Sequence, residues 1–503
     1  MTPLRRRTFV ATSAAGLAAL PTAAHSQSVQ NTMYDFIIIG AGTAGLPAAI
    51  FASRRGAKVL LMDAAEKIGG TLNLANGQVA AAGTRTQLAK GITHDTPDAH
   101  YGDIMALSRG FADANVARRT ADLAPGTLNW LLDNGLKPLP DHPVTGDSPG
   151  RPAYKIPRYI WGEGQGRDIL KVVERQLAPE LASGRVVTQL STRATGFIAS
   201  SSGAVEGVRA THNGQSLEFR GRNVLLTTGG YAMNPKLFQD LIGQPSYASG
   251  SWPQAQGDGL GMVSAIGGSL RGADLHRAGS GSILTGDRFP AKPYARFVTA
   301  PQDRQPWEIW VNDKGQRFVA EDEPLTYVRE REIVKQSKFK YFIVFDQAIF
   351  GAAPPGVAGW TREKMAEHFN THPMFAKADT LDALANALKV DASGLRATAA
   401  SYNAAVKGGS DQFGRKHMPR VIETGPFYAI THLGTSATSS VGVVIDKDLR
   451  VLRADGSIVP NLYAAGEVLG SGATLGNAFV PGMMLTPALT LGRWLGETLP
   501  VGS

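Results

Sequence analysis

Tyr34-Asp35-Phe36-Ile37-Ile38-Ile39-Gly40-Ala41-Gly42-Thr43-Ala44-Gly45 is the stretch from which the rest of the chain is read. Phe36 to Ile39 is an unbroken apolar run, which predicts a strand buried on both faces of a parallel sheet. It runs into a G-x-G-x-x-G loop, Gly40, Gly42 and Gly45, and then into a small-residue helix, Leu46 to Arg54. In that arrangement the first glycine allows a tight turn and the second lets the backbone approach a pyrophosphate. The third lets helix and strand pack closely. Free N–H groups and the positive end of the helix dipole then face the phosphates. A second apolar strand, Lys58 to Met62, ends on Asp63. Asp63 stands about twenty residues beyond the first glycine, the spacing at which a carboxylate meets an adenosine ribose.

The chain has 503 residues, room for two or three domains and a large core. With 43% hydrophobic and 18% charged residues it is globular in composition. Its 58 glycines suit a backbone that comes close to a bulky ligand. The formal net charge is +9, of which Arg5, Arg6 and Arg7 supply a share. No basic run interleaves with aromatics, which argues against nucleic acid as a partner. The absence of cysteine excludes disulfides, thiolate clusters, c-type haem attachment and a dithiol redox centre.

Residues 1–26 read as an export signal. Three arginines and Thr8-Phe9-Val10 precede a modest apolar run, Ala11 to Leu20, then Pro21 and small residues to Ser26. The arginine pair points to the twin-arginine type, which carries folded proteins and hence to the periplasm. No later stretch reaches 18 apolar residues, so no membrane span is expected.

Beyond Asp63, residues 67–84 are small and polar, a loop suited to wrapping a flat ligand. Residues 98–133 carry two helical periodicities, and 140–166, rich in Pro and Gly, read as a long surface loop. A helix over 168–181 leads to a short buried strand at 184–187. Residues 192–222 alternate as a β-meander, and Asn223 to Thr228 reads as a further buried strand stopped by Gly229-Gly230. Gly257-Asp258-Gly259 opens another helix. From 271 to 432 aromatics and charges become denser, which suggests an inserted second domain, with a strand at Phe339 to Phe345. The chain then returns through Leu462-Tyr463-Ala464-Ala465-Gly466-Glu467 to a last helix, about Met484 to Leu495.

These pieces together resemble the fumarate reductase/succinate dehydrogenase flavoprotein family, which includes 3-ketosteroid dehydrogenases. The anchors are IIIGAGTAG, LLMD, IGGT, LLTTGGYAMNP, GDGLGM, VNDKGQRFVAE, GPFYAI, LYAAGEV and ALTLGR, spread over nearly everything after residue 33. The resemblance implies an α/β fold: a Rossmann-like FAD-binding domain with a glutathione-reductase-like parallel sheet and a β-meander, plus an inserted α+β capping domain. It places the discontinuous FAD-binding domain at 33–270 and 433–503 and the capping domain at 271–432. FAD contacts are implied at Ala44, Asp63, Thr71, Leu72, Asn76, Gly77, Gln78, Val187, Asp258, Glu467, Met484 and Leu485. Gly40, Gly42, Gly45, Gly70 and Gly229 belong to the surrounding loops. The family's flavin-attaching histidine would lie between Thr71 and Gly77, where there is none, so FAD is expected to be non-covalent.

The substrate side departs from the fumarate pattern. Gly279-Ser280-Gly281 stands for His-Pro-Thr, Ala437-Thr438-Ser439 for His-His-Thr, Phe479 for one arginine and Leu325 for another. Only Arg304 occupies a relay-arginine position. With so few charge-assisted bonds left for a dicarboxylate, a neutral enone or cyclic ketone is expected in preference to fumarate. Phe479, Thr438 and Gly482 are the expected pocket residues; the segments Gly476 to Phe479 and Pro487 to Gly492 lean towards the ketosteroid branch.

Hydride exchange with a C–C bond needs a partner that gives or takes a proton on the neighbouring carbon. Tyr327 is the first candidate, with Arg329 or Arg331 near in sequence, and Arg304 is a relay or substrate clamp. His276 and His432 read as ordinary hydrogen-bonded histidines. No metal is expected. Three functions remain: an enone reductase or ketosteroid-type dehydrogenase, a reductase of an unsaturated carboxylate, and a flavin electron-transfer subunit. A small-molecule substrate and an external electron donor or acceptor are the expected partners. A lid-like insert argues against the third.

Overall fold

The computed structural model describes residues 32–148, 151, 153–247 and 250–502; the expected export signal lies outside the described residues. One sheet organises it. Its strands are β1 (Met33–Ile39), β2 (Val59–Met62), β3 (Val186–Gln189), β4 (Thr192–Ala199), β5 (Val205–His212) and β6 (Gln215–Leu226), with two contributed from near the C-terminus. A second sheet is built from β7 (Ile309–Val311), β8 (Lys340–Asp346), β9 (Phe375–Ala378) and β10 (Phe427–Leu433). The returning strands of the first sheet are β11 (Arg450–Leu452) and β12 (Ile458–Ala464).

The first sheet runs β11-β12-β6-β1-β2-β3, and β4 and β5 continue from β6 as an antiparallel meander. β1 lies parallel to β2 and to β6, with Ile39 opposite Met62 on one side and Leu226 on the other. That central position is why Phe36, Ile37 and Ile38 are fully buried and why the run shows no alternation. Helix α1 (Gly45–Arg54) follows β1, α2 (Asp258–Ala265) precedes the second sheet, α3 (Thr326–Val334) joins β7 to β8, and α4 (Leu485–Thr498) closes the chain across α1.

Two local expectations are corrected. Asn223 to Thr228 is no separate strand: it completes β6, twelve residues long. The first half of β6 pairs with β5 and alternates in burial. The second half enters the sheet centre and is buried on both faces. The change of pattern marks a change of surroundings and no break in the strand. Residues 140–166 are no simple surface loop either. Tyr154, Arg158, Tyr159 and Ile160 are buried, and the Arg158 guanidinium pairs with Asp95 at 2.6 Å and Asp103 at 2.7 Å. Pro and Gly prevent a long helix there, yet they leave the chain free to fold inward around an ion pair.

The second sheet is antiparallel, in the order β7-β8-β10-β9. No helix among the described residues is long and apolar enough to cross a membrane.

Candidate active site

At the carboxyl end of β1 the chain turns at Gly40, whose φ is +110°. A Cβ on Gly40 would fall 2.3 Å from the Thr227 carbonyl oxygen, and one on Gly45 only 1.9 Å from that of Gly40. Both positions therefore need glycine, and together they bring α1 down onto the ends of β1 and β6. The Thr227 hydroxyl donates to the Ile39 and Gly40 carbonyls at 2.9 and 2.8 Å and fixes that turn. Helix α1 has no side-chain cap and no acidic residue in its first turn, so its positive end stays open.

This end opens into a cleft of about 990 Å³, counting its mouth. Of the residues singled out in the sequence, Gly40, Gly42, Ala44, Asp63, Gly70, Thr71, Gly229, Asp258, Glu467, Met484 and Leu485 line it. Gly45, the first residue of α1, is buried, Leu72 lies in the core, and Asn76 is exposed. Gly77 packs against the Gln165 backbone, and Gln78 and Val187 are half-buried outside the cleft wall. Sequence reasoning missed Thr192, Ala194, Thr228 and Trp252, all cleft-lining. Only Thr228, next to the Gly229-Gly230 stop, carried a local signal.

The cleft's chemistry fits FAD. Asp63 Oδ2 accepts the Ala41 N–H at 2.7 Å and Oδ1 that of Ala65 at 2.8 Å, which holds its carboxylate at the loop where a ribose would sit. Burial pushes the Asp63 carboxyl above its usual range, opposed by those two N–H groups. A Cβ on Gly42 would project into open space, its nearest neighbour Gly70 at 3.9 Å, so the backbone there is bare to a ligand. The Thr228 hydroxyl is buried without a partner. A second uncapped helix start, that of α4, comes to the same cleft through Met484 and Leu485. Glu467 accepts the Ser439 N–H at 2.9 Å, and burial raises its carboxyl. Asp258 pairs with Arg193, and burial raises it too.

A second cavity, about 1360 Å³ counting its open mouth, lies between the 279–303 segment, α3 and the residues Ser148 and Arg151. Helix geometry decides which α3 residues reach it. Thr326, Arg329 and Glu330, spaced i, i+3 and i+4, line the cavity. Tyr327 and Arg331 share the other face. Tyr327 lies under the Arg109 guanidinium, 4.7 Å from its ring centroid, and Arg331 donates to the carbonyls of His276 and Asp274. The first-choice proton donor is therefore turned away from the cavity. Arg304 is displaced as well: it is bonded to Glu308 at 2.5 and 3.0 Å and to the Pro354 carbonyl, in a neighbouring cleft.

Arg329 is 1% exposed. Its guanidinium donates to the Glu323 carbonyl and to the Thr326 hydroxyl at 3.4 Å, and its Nε has no partner. Among the described residues it makes no ion pair within 4.0 Å. Burial pushes its pKa down, against the opposing influence of Tyr341, Glu330 and Glu323. Arg151 and Arg296 line the same cavity. Arg277 is bound to Glu330 at 3.0 Å, and Arg151 and Arg277 sit 5.1 and 5.9 Å from the Phe479 ring centroid. The expectation of a site stripped of cations counted aligned positions only. The fold brings guanidiniums in from other positions, and Phe479 carries them. Of the other expected pocket residues, Gly482 packs on Ala80 and Thr438 bonds Ser471, and neither lines the cavity.

His276 stacks on Phe339, and His432 on Tyr341 across β8 and β10. Burial lowers the pKa of each to about 4. Both are neutral core histidines. No cluster of three or more potential metal ligands occurs among the described residues.

Residues 35–479 match the family model described as the FAD binding domain. The chain is similar to a fumarate reductase (cytochrome) of Shewanella frigidimarina, 28% identical over 480 residues, 93% of this chain and 77% of the relative. It is also similar to a urocanate reductase of Eggerthella lenta, 25% identical over 478 residues, 92% of this chain and 74% of the relative. Among solved structures, a 3-ketosteroid Δ1-dehydrogenase from Sterolibacterium denitrificans superposes with a TM-score of 0.67 at 20% identity, over 92% of this chain and 98% of the other. At that identity the likeness speaks for the fold.

Proposed function

The chain belongs to the FAD binding domain family and is an FAD-dependent oxidoreductase, and we propose that it exchanges a hydride with a C=C or C–C bond next to an acidic carbonyl group, an unsaturated carboxylate. The observation that carries this reading is Arg329, a buried cation that makes no ion pair within 4.0 Å among the described residues, at the wall of an arginine-bearing cavity. A buried charge is costly unless paired, and an anion entering the cavity would supply the pairing. Both curated relatives named above bear the names of unsaturated carboxylates, which supports the same choice over a neutral ketone.

When bound, FAD supplies reversible two-electron chemistry at its ring system. The residues of the chain do the rest. Gly40 to Gly45 and Asp63 hold the cofactor at its phosphate and ribose end, without a covalent bond, since no cysteine is present and no histidine lies at 71–77. Arg329 fixes the substrate carboxylate and opposes negative charge as it grows on the carbonyl oxygens. Glu330, 4% exposed and held by Arg277 Nη2, is the candidate acid–base group on the same wall. The 279–303 segment and α3 wall this cavity as part of the capping domain. Export to the periplasm through the arginine-pair signal belongs to the same reading.

Arg329→Met tests it. The KM for an unsaturated carboxylate should rise by about tenfold to hundredfold, the loss of one hydrogen bond to a charged group. The KM for the matched neutral ketone and the FAD content should stay as they are. Equal KM changes for both substrates would overturn the role given to Arg329.

A further inference from the structure

We propose that Lys67 and Trp252 form a clasp over the adenosine half of the FAD cleft, with the Trp252 indole as its stacking wall. The inference rests on FAD being the bound cofactor. Trp252 lines the same cleft as Asp63, Thr192, Ala194 and Asp258, and its contact with Lys67 ties it to the segment that carries the ribose carboxylate. It is the one large side chain in Ser251-Trp252-Pro253-Gln254-Ala255-Gln256-Gly257 and stands half-buried at the mouth. An indole left against water in that place loses apolar burial that a flat ligand would restore.

The segment is tied down on both sides. The Ser251 hydroxyl donates to the Ala437 carbonyl at 2.9 Å, the Gly257 N–H to that of Gly230 at 3.0 Å, and the Met233 N–H to that of Ala255 at 2.9 Å. The Ala255 N–H closes a turn on the Trp252 carbonyl at 2.9 Å. Four residues beyond Asp63, the exposed Lys67 places its ammonium 5.7 Å from the Trp252 ring centroid. A cation at that distance is attracted by the ring. The contact ties the segment after Asp63 to the 251–257 segment, and the second indole face is left for a base, since every base presents a stacking face.

The experiment follows FAD leaving the holoenzyme. After dilution, recovery of free-flavin fluorescence gives the dissociation rate, and the visible absorption spectrum reports the surroundings of the flavin ring. Trp252→Ala should release FAD about tenfold faster or more, the scale of one lost base stack. Its bound-flavin spectrum should match wild type, because the ring lies away from the clasp. Trp252→Phe should restore most of the slow release, and Lys67→Ala should accelerate it by a smaller factor. Release from Trp252→Ala at the wild-type rate would overturn the clasp, and so would faster release with a changed flavin spectrum, which would mean a general loosening. A wild-type protein that holds no FAD would instead overturn the cofactor assignment on which the clasp rests.

Discussion

Arg329 and Tyr327 are two residues apart, and that offset decides their roles. On α3 a step of two residues turns a side chain through more than half a circle, so one guanidinium enters the cavity and one phenol leaves it. In sequence they look interchangeable as candidates, because helical phase cannot be fixed without knowing which face meets the cavity. Tyr327→Phe should therefore leave turnover within about twofold of wild type, where a proton donor would cost about 10²–10⁴-fold. Steady-state kcat with a good substrate checks this, and a hundredfold loss would return Tyr327 to the chemistry. Arg304 teaches a related lesson: its position was legible, but Glu308, four residues further along the chain, captures the side chain. Arg151, Arg277 and Arg296 carried no motif at all. They are near the cavity through long-range contacts that no local spacing encodes.

At the scale of elements, β1, its glycine turn and α1 were readable almost to the residue, because burial on both faces and the pyrophosphate turn leave strong local patterns. The β6 strand was split in reading because a strand that passes from the edge of a sheet to its centre changes periodicity midway. The inward fold of 140–166 was hidden because its anchor, Arg158, finds partners at Asp95 and Asp103, more than fifty residues away in sequence. The pairing of β8 with β10 has a consequence for stability. His432, stacked on Tyr341, and His276, stacked on Phe339, have pKa values near 4 in the folded chain. Unfolded, each would titrate near 6.5. Between those values the unfolded chain binds more protons, so acid favours unfolding. Stability should hold above about pH 6.5 and fall towards pH 4 by up to roughly 1.4 kcal/mol per pH step for each histidine. Urea midpoints of wild type and His432→Phe would show it. The variant should lose part of the slope, and an unchanged slope would mean that His432 is not a buried neutral group.

For the molecule as a whole, the first sheet provides a fixed cofactor bed, and α3 with the 279–303 segment provides the wall that carries Arg329. The export reading concerns this whole as well, since a protein that folds around FAD has to cross the membrane folded. Arg6→Lys with Arg7→Lys should leave the chain in the cytoplasm with its leader uncut, as cell fractionation would show. Normal export of the double variant would contradict the twin-arginine assignment. The central claim is that the cavity walled by Arg329 is built for an anion. The most direct measurement reduces the flavin of the purified holoenzyme without oxygen and mixes it with matched substrates, an unsaturated carboxylate and its neutral methyl ketone. The flavin absorbance should return at least about tenfold faster with the carboxylate, the scale of one charge-assisted bond. Faster return with the neutral ketone would contradict the account.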